Sequence, residues 1–313
     1  MASLREIKDR IGSVKSTLKI TSAMKLVASS KLRKAQRAIE NLRPYEEELS
    51  RILSELSGDL SAADLRDSSA IPSVEDDGAC PGRTVSGGPL AESEEGMERN
   101  GSSAVRNAVA IVSISSNSSL CGAFNGNVIK KTLELAKDLE EKGSKVTVYS
   151  LGRKMADAMK KAGYPTDDYS QFIAKPTYAA ASRIAKGIQD EFGDVILVYN
   201  HFVTTAKQVV VVENLTSSGS SAAFVKDSED EEYIIEPGRK EVLEKLGPQV
   251  LMLRFYAAVL DSAAAEHAAR TIAMQTASDN AQDLLSELTL EYNKGRQQKI
   301  TAEILDLVGG ISE

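Results

Sequence analysis

From Gln249 to Val308 the chain runs sixty residues without a proline and with a single glycine, Gly295. A helix of that length spans about 90 Å at 1.5 Å per residue. A compact chain of 313 residues has a radius of gyration near 20 Å and a diameter of roughly 50 Å. The helix must therefore project from whatever globule the remainder builds. Alanine crowds its expected inner face at Ala258, Ala265, Ala269, Ala277 and Ala281, followed by Leu284, Leu288, Ile300, Ile304 and Leu307. A C-terminal shaft helix is expected over 239–313, with its unbroken helical run beyond Gly247-Pro248.

The first segment, 1–57, carries a matching pattern. Apolar or small residues recur at Leu4, Ile7, Ile11, Val14, Leu18, Thr21, Ala28, Leu32, Ala35, Ile39 and Leu42, in alternating steps of three and four, with Lys25 inside the stripe. That spacing predicts a coiled-coil seam. Gly12 and Pro44 are expected to weaken or bend it. Each long helix needs a partner for its seam, and the two cover each other most economically. The chain enters the middle region from one and leaves into the other, so an antiparallel pair is expected, stiffened by close approach at alanine.

Between them, 58–107 loses all periodicity and fills with Ser, Gly, Pro, Asp and Glu, which predicts an acidic low-complexity insert acting as a flexible tether. A brake folding onto the basic first helix is the sharper alternative. Residues 108–238 alternate strand and helix signals: AVAIVSIS, NVIKKTLELAKDLEEKG, KVTVYSL, GRKMADAMKKAG, an extended YSQFI, a helix from about Tyr178 to Phe192, DVILVYNHF, and an edge strand in QVVVVENL. The expected class is α/β: a Rossmann-like domain with a largely parallel sheet, carrying the antiparallel coiled coil of terminal helices.

Charge and composition narrow the function. Leu4 to Arg43 holds Arg5, Lys8, Arg10, Lys15, Lys19, Lys25, Lys31, Arg33, Lys34, Arg37 and Arg43 against Glu6, Asp9 and Glu40, while Asp227 to Glu232 reads DSEDEE, all within a net charge of −7. No apolar run reaches membrane-span length, and the opening MASLREIKDR is charged where a leader needs an apolar core. Cys80 and Cys121 lie far apart, and His201 and His267 are the two histidines. That set gives little support to a zinc site, a disulfide framework or a Ser/His/Asp triad. SLCGAFNGN follows a strand and opens a helix, yet Gly122 and Gly126 do not make a phosphate loop. No cofactor or metal is expected, and Cys121 is expected to be a packed or contact residue where the domain meets the shaft.

Three blocks carry a likeness: IGSVKSTLKITSAMKLVASSKLRKAQ from Ile11 to Gln36, SSLCGAFN from Ser118 to Asn125, and ITAEILDLVGG from Ile300 to Gly310. These resemble the signatures of ATP synthase gamma subunits. RPYEEEL at Arg43, YIIEPGRKEVL at Tyr233 and the run from Ala268 to Gln298 support them in order along nearly the whole chain. The chain departs from the pattern where Ser118-Ser119 stands for the usual Arg-Gly and where Ile311 follows Gly310.

The resemblance implies a non-catalytic central shaft standing inside a hexamer of alternating alpha and beta subunits, one copy per complex. The α/β domain would rest on the membrane rotor ring of c subunits beside an epsilon subunit. It implies that Met24 and Lys25, Cys121, and Arg296, Gln297, Thr301, Glu303 and Asp306 meet the catalytic beta subunits, and that Tyr233 and Glu236 meet the ring or epsilon. Taken as residues alone, Met24 equally fills a core, Thr301 and Glu303 equally face solvent, and Tyr233 and Glu236 equally serve a strand end. The implied place is the cytoplasmic face of a bacterial inner membrane, with rotation driven by ion flow. Two rivals remain at this stage. The basic helix matches a polyanion, but its apolar seam demands a helix and no aromatic interleaves it before Tyr45, so no nucleic-acid partner is expected. A catalytic α/β domain finds no paired acid and base to support it.

Overall fold

A computed structural model describes residues 3–57, 108–215, 236 and 238–309 of the chain. The insert at 58–107 and the acidic loop lie outside the described residues.

Helix α1, Leu4–Ser57, and helix α6, Arg239–Gly309, hold 54 and 71 residues, or about 81 and 106 Å of helix. Between them come β1 (Ala108–Ile114), α2 (Phe124–Glu141), β2 (Lys145–Leu151), α3 (Arg153–Ala162), β3 (Thr166–Asp168), α4 (Ser170–Ala174), α5 (Tyr178–Glu191), β4 (Asp194–Phe202) and β5 (Gln208–Asn214). The sheet order is β3-β2-β1-β4-β5. The first four strands are parallel, and β5 turns back antiparallel on β4 through the pairs from Ile196 with Asn214 to Phe202 with Gln208. This is the doubly wound arrangement the alternating signals predict.

Strand alternation divides the core in two. Ala110, Val112, Ile114, Tyr149, Leu151, Val195 and Leu197 face α5 and the lower part of α6. Ile111, Val146, Val148 and Val198 face α2 and α3. Helix α6 is thus both a layer of the domain and half of the shaft. Its Phe255, fully buried among Ala258, Val259 and the strands, roots it in the domain.

Two local expectations are corrected. YSQFI is not extended: the strand lies just before it, and Ser170–Ala174 forms one short helix. Asp168 Oδ1 accepts the Ser170 N–H at 2.9 Å, which starts the turn and swings Phe172 into the core. Likewise Gly247-Pro248 does not precede the unbroken helical run but lies inside it. Proline there removes one backbone hydrogen bond, and packing of Leu251, Met252 and Phe255 on the domain core offsets that loss. Pro44 is also carried within a continuous α1.

Candidate functional site: the two-helix shaft and its seat

The seam of α1 buries Ile7, Thr21, Ala28 and Leu32, and that of α6 buries Ala264, Ala268, Met274, Ser278, Ala281 and Leu288. Register is fixed at points far apart. Leu4 Cδ2 lies 3.1 Å from the place a Cβ would occupy on Gly295. Seventeen residues along α1 and seventeen back along α6, Ser278 donates to Thr21 at 2.8 Å. Eleven further on, Leu32 packs against Ala264 and Ala268. The helices therefore run antiparallel without slipping, and alanine brings them close on the domain side.

Leu284, Ile300 and Ile304, expected in the seam, are 45%, 47% and 54% exposed. Leu284 lies within the paired length but on a face that α1 leaves open, whereas for Ile300 and Ile304 the reason lies in the ends: α1 begins opposite Gly295, so α6 continues alone for fourteen residues, about 21 Å. On that single-helix tip Arg296, Gln297, Thr301 and Glu303 are all exposed. Thr301 Oγ1 donates back to the Gln297 carbonyl at 2.9 Å, and Glu303 lies 3.8 Å from Lys299. The Asp306 side chain and Tyr233 lie outside the described residues, whereas Glu236 is exposed. Met24 and Lys25 are half-buried on α1, some twenty residues or about 30 Å below the tip group by the register above. The structure thus separates the expected contact residues into two belts on the shaft.

At the base of the shaft, the turn after β1 wraps a tightly constrained corner. Leu120 adopts φ 67, in the left-handed region, and is 56% exposed. Behind it, Cys121 is 2% exposed and packs with Phe124 and Ala265. Asn125 accepts from the Ser116 N–H at 3.0 Å and donates to Ser116 Oγ at 2.8 Å. Gly152, at φ 123, closes the corner: a Cβ there would sit 2.3 Å from the Ser115 carbonyl oxygen. Cys121 thus holds the packed place at the junction, and the exposed apolar group of the turn is its neighbour Leu120.

Two charged residues of α6 grip this end of the sheet, and a third holds one of them in place. Arg270 donates to Ser118 Oγ at 2.8 Å, and to the Ser118 and Ser119 carbonyls at 3.4 Å, while pairing with Glu266 at 2.5 Å. Asp261 accepts the Phe202 N–H at 3.1 Å and meets His201 Nδ1 at 2.5 Å. Burial raises the Asp261 carboxyl above its ordinary value, and the His201 and Phe202 hydrogen bonds partly restrain the rise. Nearby, burial also raises Glu46 of α1, against the opposing pull of the Arg254 guanidinium. Burial lowers His267, whose Nδ1 has no hydrogen-bond partner among the described residues.

In an open doubly wound sheet, the crevice beyond the carboxyl ends of β1 and β4 is where a ligand lodges. Here Cys121 and Phe124 pack with Ala265 of α6, and Arg270 bonds the turn after β1, so the shaft is seated at that end of the sheet. The sequence signals this seat through Asp261, Glu266 and Arg270, which interrupt an alanine-rich stretch. Among the described residues, no helix is long and apolar enough to cross a membrane.

The model of the ATP synthase family matches residues 3–312. A protein of Bacteroides fragilis named ATP synthase gamma chain is 42% identical, with 99% of each chain covered. One of Christiangramia forsetii with the same name is 38% identical over 99% of this chain and 98% of its own. In solved structures, a chain from the rotor of the Euglena gracilis mitochondrial ATP synthase superposes with a TM-score of 0.57 at 18% identity, covering 95% of this chain and 98% of that one. Another from the OSCP/F1/c-ring portion of that enzyme gives 0.58 at 19%, covering 99% and 93%. With the family model spanning the chain and relatives above 40% identity along its whole length, this chain belongs to the ATP synthase gamma chain family.

Proposed function

We propose that this chain, as the non-catalytic central shaft of an ATP synthase, turns inside the hexamer of alpha and beta subunits and carries rotation between them and a membrane ring of c subunits. The observation that carries this reading is the register-locked helix pair that outruns the domain and ends in an exposed single-helix tip. Such a part transmits force along its length and has no need of a reaction site.

An asymmetric shaft meets three chemically identical beta subunits differently, and so biases which nucleotide-binding state each prefers. Driving one subunit from 1:99 to 99:1 takes roughly 5.5 kcal/mol of differential interaction. One exposed ion pair contributes about 0 to 1 kcal/mol, so contacts must act in groups. The two belts provide them: Met24 and Lys25 below, and Arg296, Gln297, Thr301, Glu303 and Asp306 at the tip. Exposed Lys8, Lys15, Lys19, Arg33 and Arg37 lie along α1 between and around them and suit carboxylates on beta-subunit loops. Cys121 acts from behind by holding Leu120 toward the hexamer. Tyr233 and Glu236 belong to the end that meets the ring and the epsilon subunit. One copy serves each complex, peripheral on the cytoplasmic face of a bacterial inner membrane.

Purification of the tagged chain from its native membranes tests this. Stoichiometric alpha, beta and epsilon subunits, with azide-sensitive ATP hydrolysis by the complex, are expected. Recovery of the chain alone, or of nucleic acid, overturns it.

A further inference from the structure

We infer that Asp261 and Arg270 form a two-sided key that locks the shaft to the α/β domain against rotation about its own axis. The inference rests on the rotor-shaft function and adds the residues through which twist passes from helix to domain.

Phe255, Ala258, Val259 and Ala265 bury α6 against the domain, but dispersion and apolar burial are non-directional and resist the turning of a helix poorly. Asp261 and Arg270 are nine residues apart, which places them about 14 Å apart along α6 and about half a turn apart around it. They therefore leave opposite flanks of the helix. Asp261 takes the end of β4, through the Phe202 N–H and His201 Nδ1. Arg270 takes the turn after β1, through Ser118 and Ser119.

Opposed grips on neighbouring strands form a couple: turning α6 either way stretches hydrogen bonds on both sides. Charge-assisted bonds of this kind are directional and stronger than neutral ones. Both groups are largely shielded from solvent, with Asp261 and Arg270 side chains 15% and 10% exposed. Glu266 fixes Arg270 from the same helix at 2.5 Å and so holds the guanidinium in line. At this corner the cation comes from the shaft, and the turn supplies the acceptors.

The test is single-molecule torsional stiffness of the assembled complex of alpha, beta and this chain. The hexamer is fixed to a surface, a bead is attached to the α/β domain, and angular fluctuations are recorded while hydrolysis is stalled. Replacing Asp261 by leucine is expected to lower the stiffness at least about twofold, because one flank of the couple is lost. Asp261→Asn keeps an acceptor for the Phe202 N–H and is expected to recover most of it, which a simple packing defect would not do. Ser118→Ala lies on an exposed turn, removes one acceptor of Arg270, and is expected to give a smaller loss; it decides the matter if the leucine variant does not assemble. Unchanged stiffness in Asp261→Leu, or in Ser118→Ala where the former does not assemble, overturns the key. So does an asparagine variant as compliant as leucine. Absence of ATP-driven bead rotation in the unaltered complex would instead overturn the rotor function.

Discussion

Ser278 and Thr21 meet in the seam of the shaft, 257 residues apart in sequence, with Ser278 Oγ donating to Thr21 Oγ1 at 2.8 Å. Thr21 Oγ1 in turn donates a hydrogen bond to the Leu18 carbonyl at 3.1 Å, so the buried hydroxyls form a short directed chain. Apolar seams slide with little cost, whereas a buried polar pair penalises every other register. This pair sits between the contacts of Leu4 with Gly295 and of Leu32 with Ala264 and Ala268, and it sets the offset that both share.

A double-mutant cycle on that pair is expected to be non-additive. Thr21→Val alone leaves Ser278 buried without an acceptor and costs about 1 to 3 kcal/mol. Combining it with Ser278→Ala removes both polar groups and is expected to recover part of the loss. Chemical unfolding of each variant measures this, and simple additivity would refute the pin.

Ala268, fully buried against Leu32, sets the distance between the helices. Ala268→Leu is expected to destabilise the chain by about 1 to 3 kcal/mol through overpacking. Ala302→Leu on the exposed tip is expected to leave the melting temperature nearly unchanged. Thermal denaturation of the two side by side checks the contrast.

Among the described glycines of the domain, Gly152 leaves the least room for a side chain. At φ 123, with the Ser115 carbonyl 2.3 Å from any added Cβ, Gly152→Ala is expected to cost about 3 kcal/mol or more. Loss of soluble yield, or a large fall in unfolding midpoint, is the outcome to look for. A midpoint equal to the parent's would show that the corner yields.

Acid should weaken the shaft through His267. Its folded value is depressed below the ordinary 6.5 by burial, so the unfolded chain binds the proton first as pH falls. Its contribution is therefore intact above 6.5 and declines as pH falls below that value toward the depressed folded one. His267→Gln is expected to flatten that part of the stability profile between neutral and mildly acid pH. An unaltered slope in parallel melts would exclude His267 as its source.

Glu46 is expected to act with the opposite sign. Its folded value is raised above 4.5, chiefly by burial, so the folded chain holds this proton more tightly than the unfolded one. The associated stabilisation is present below 4.5 and is lost as pH rises through the raised value. Glu46→Gln is expected to melt above the parent at pH 7, with the gap closing toward pH 4. A lower melting temperature at pH 7 would mean that its attraction to Arg254 outweighs the burial cost.

Much of the architecture follows from local pattern. Sixty proline-free residues cannot fold within a globule of this size, and steps of three and four from Leu4 to Leu42 mark a seam whatever covers it. Runs such as AVAIVSIS and DVILVYNHF are long enough in apolar residues to announce buried parallel strands, and QVVVVENL takes the edge as expected. These signals are local because backbone hydrogen bonding and side-chain periodicity repeat within a few residues.

Tertiary structure decided what depends on the meeting of distant segments. Register brought Thr21 to Ser278, and the same register ended α1 opposite Gly295, leaving Ile300 and Ile304 exposed where periodicity alone placed them inside. Packing on the domain carried α6 through Gly247-Pro248. Asp261, Glu266 and Arg270 read as ordinary charges on a helix until the sheet placed Phe202 and Ser118 beside two of them. The physical reason is range: a helix period reports which face is apolar, but the bonds of Asp261 to Phe202 and of Arg270 to Ser118 need partners that the fold delivers from elsewhere in the chain.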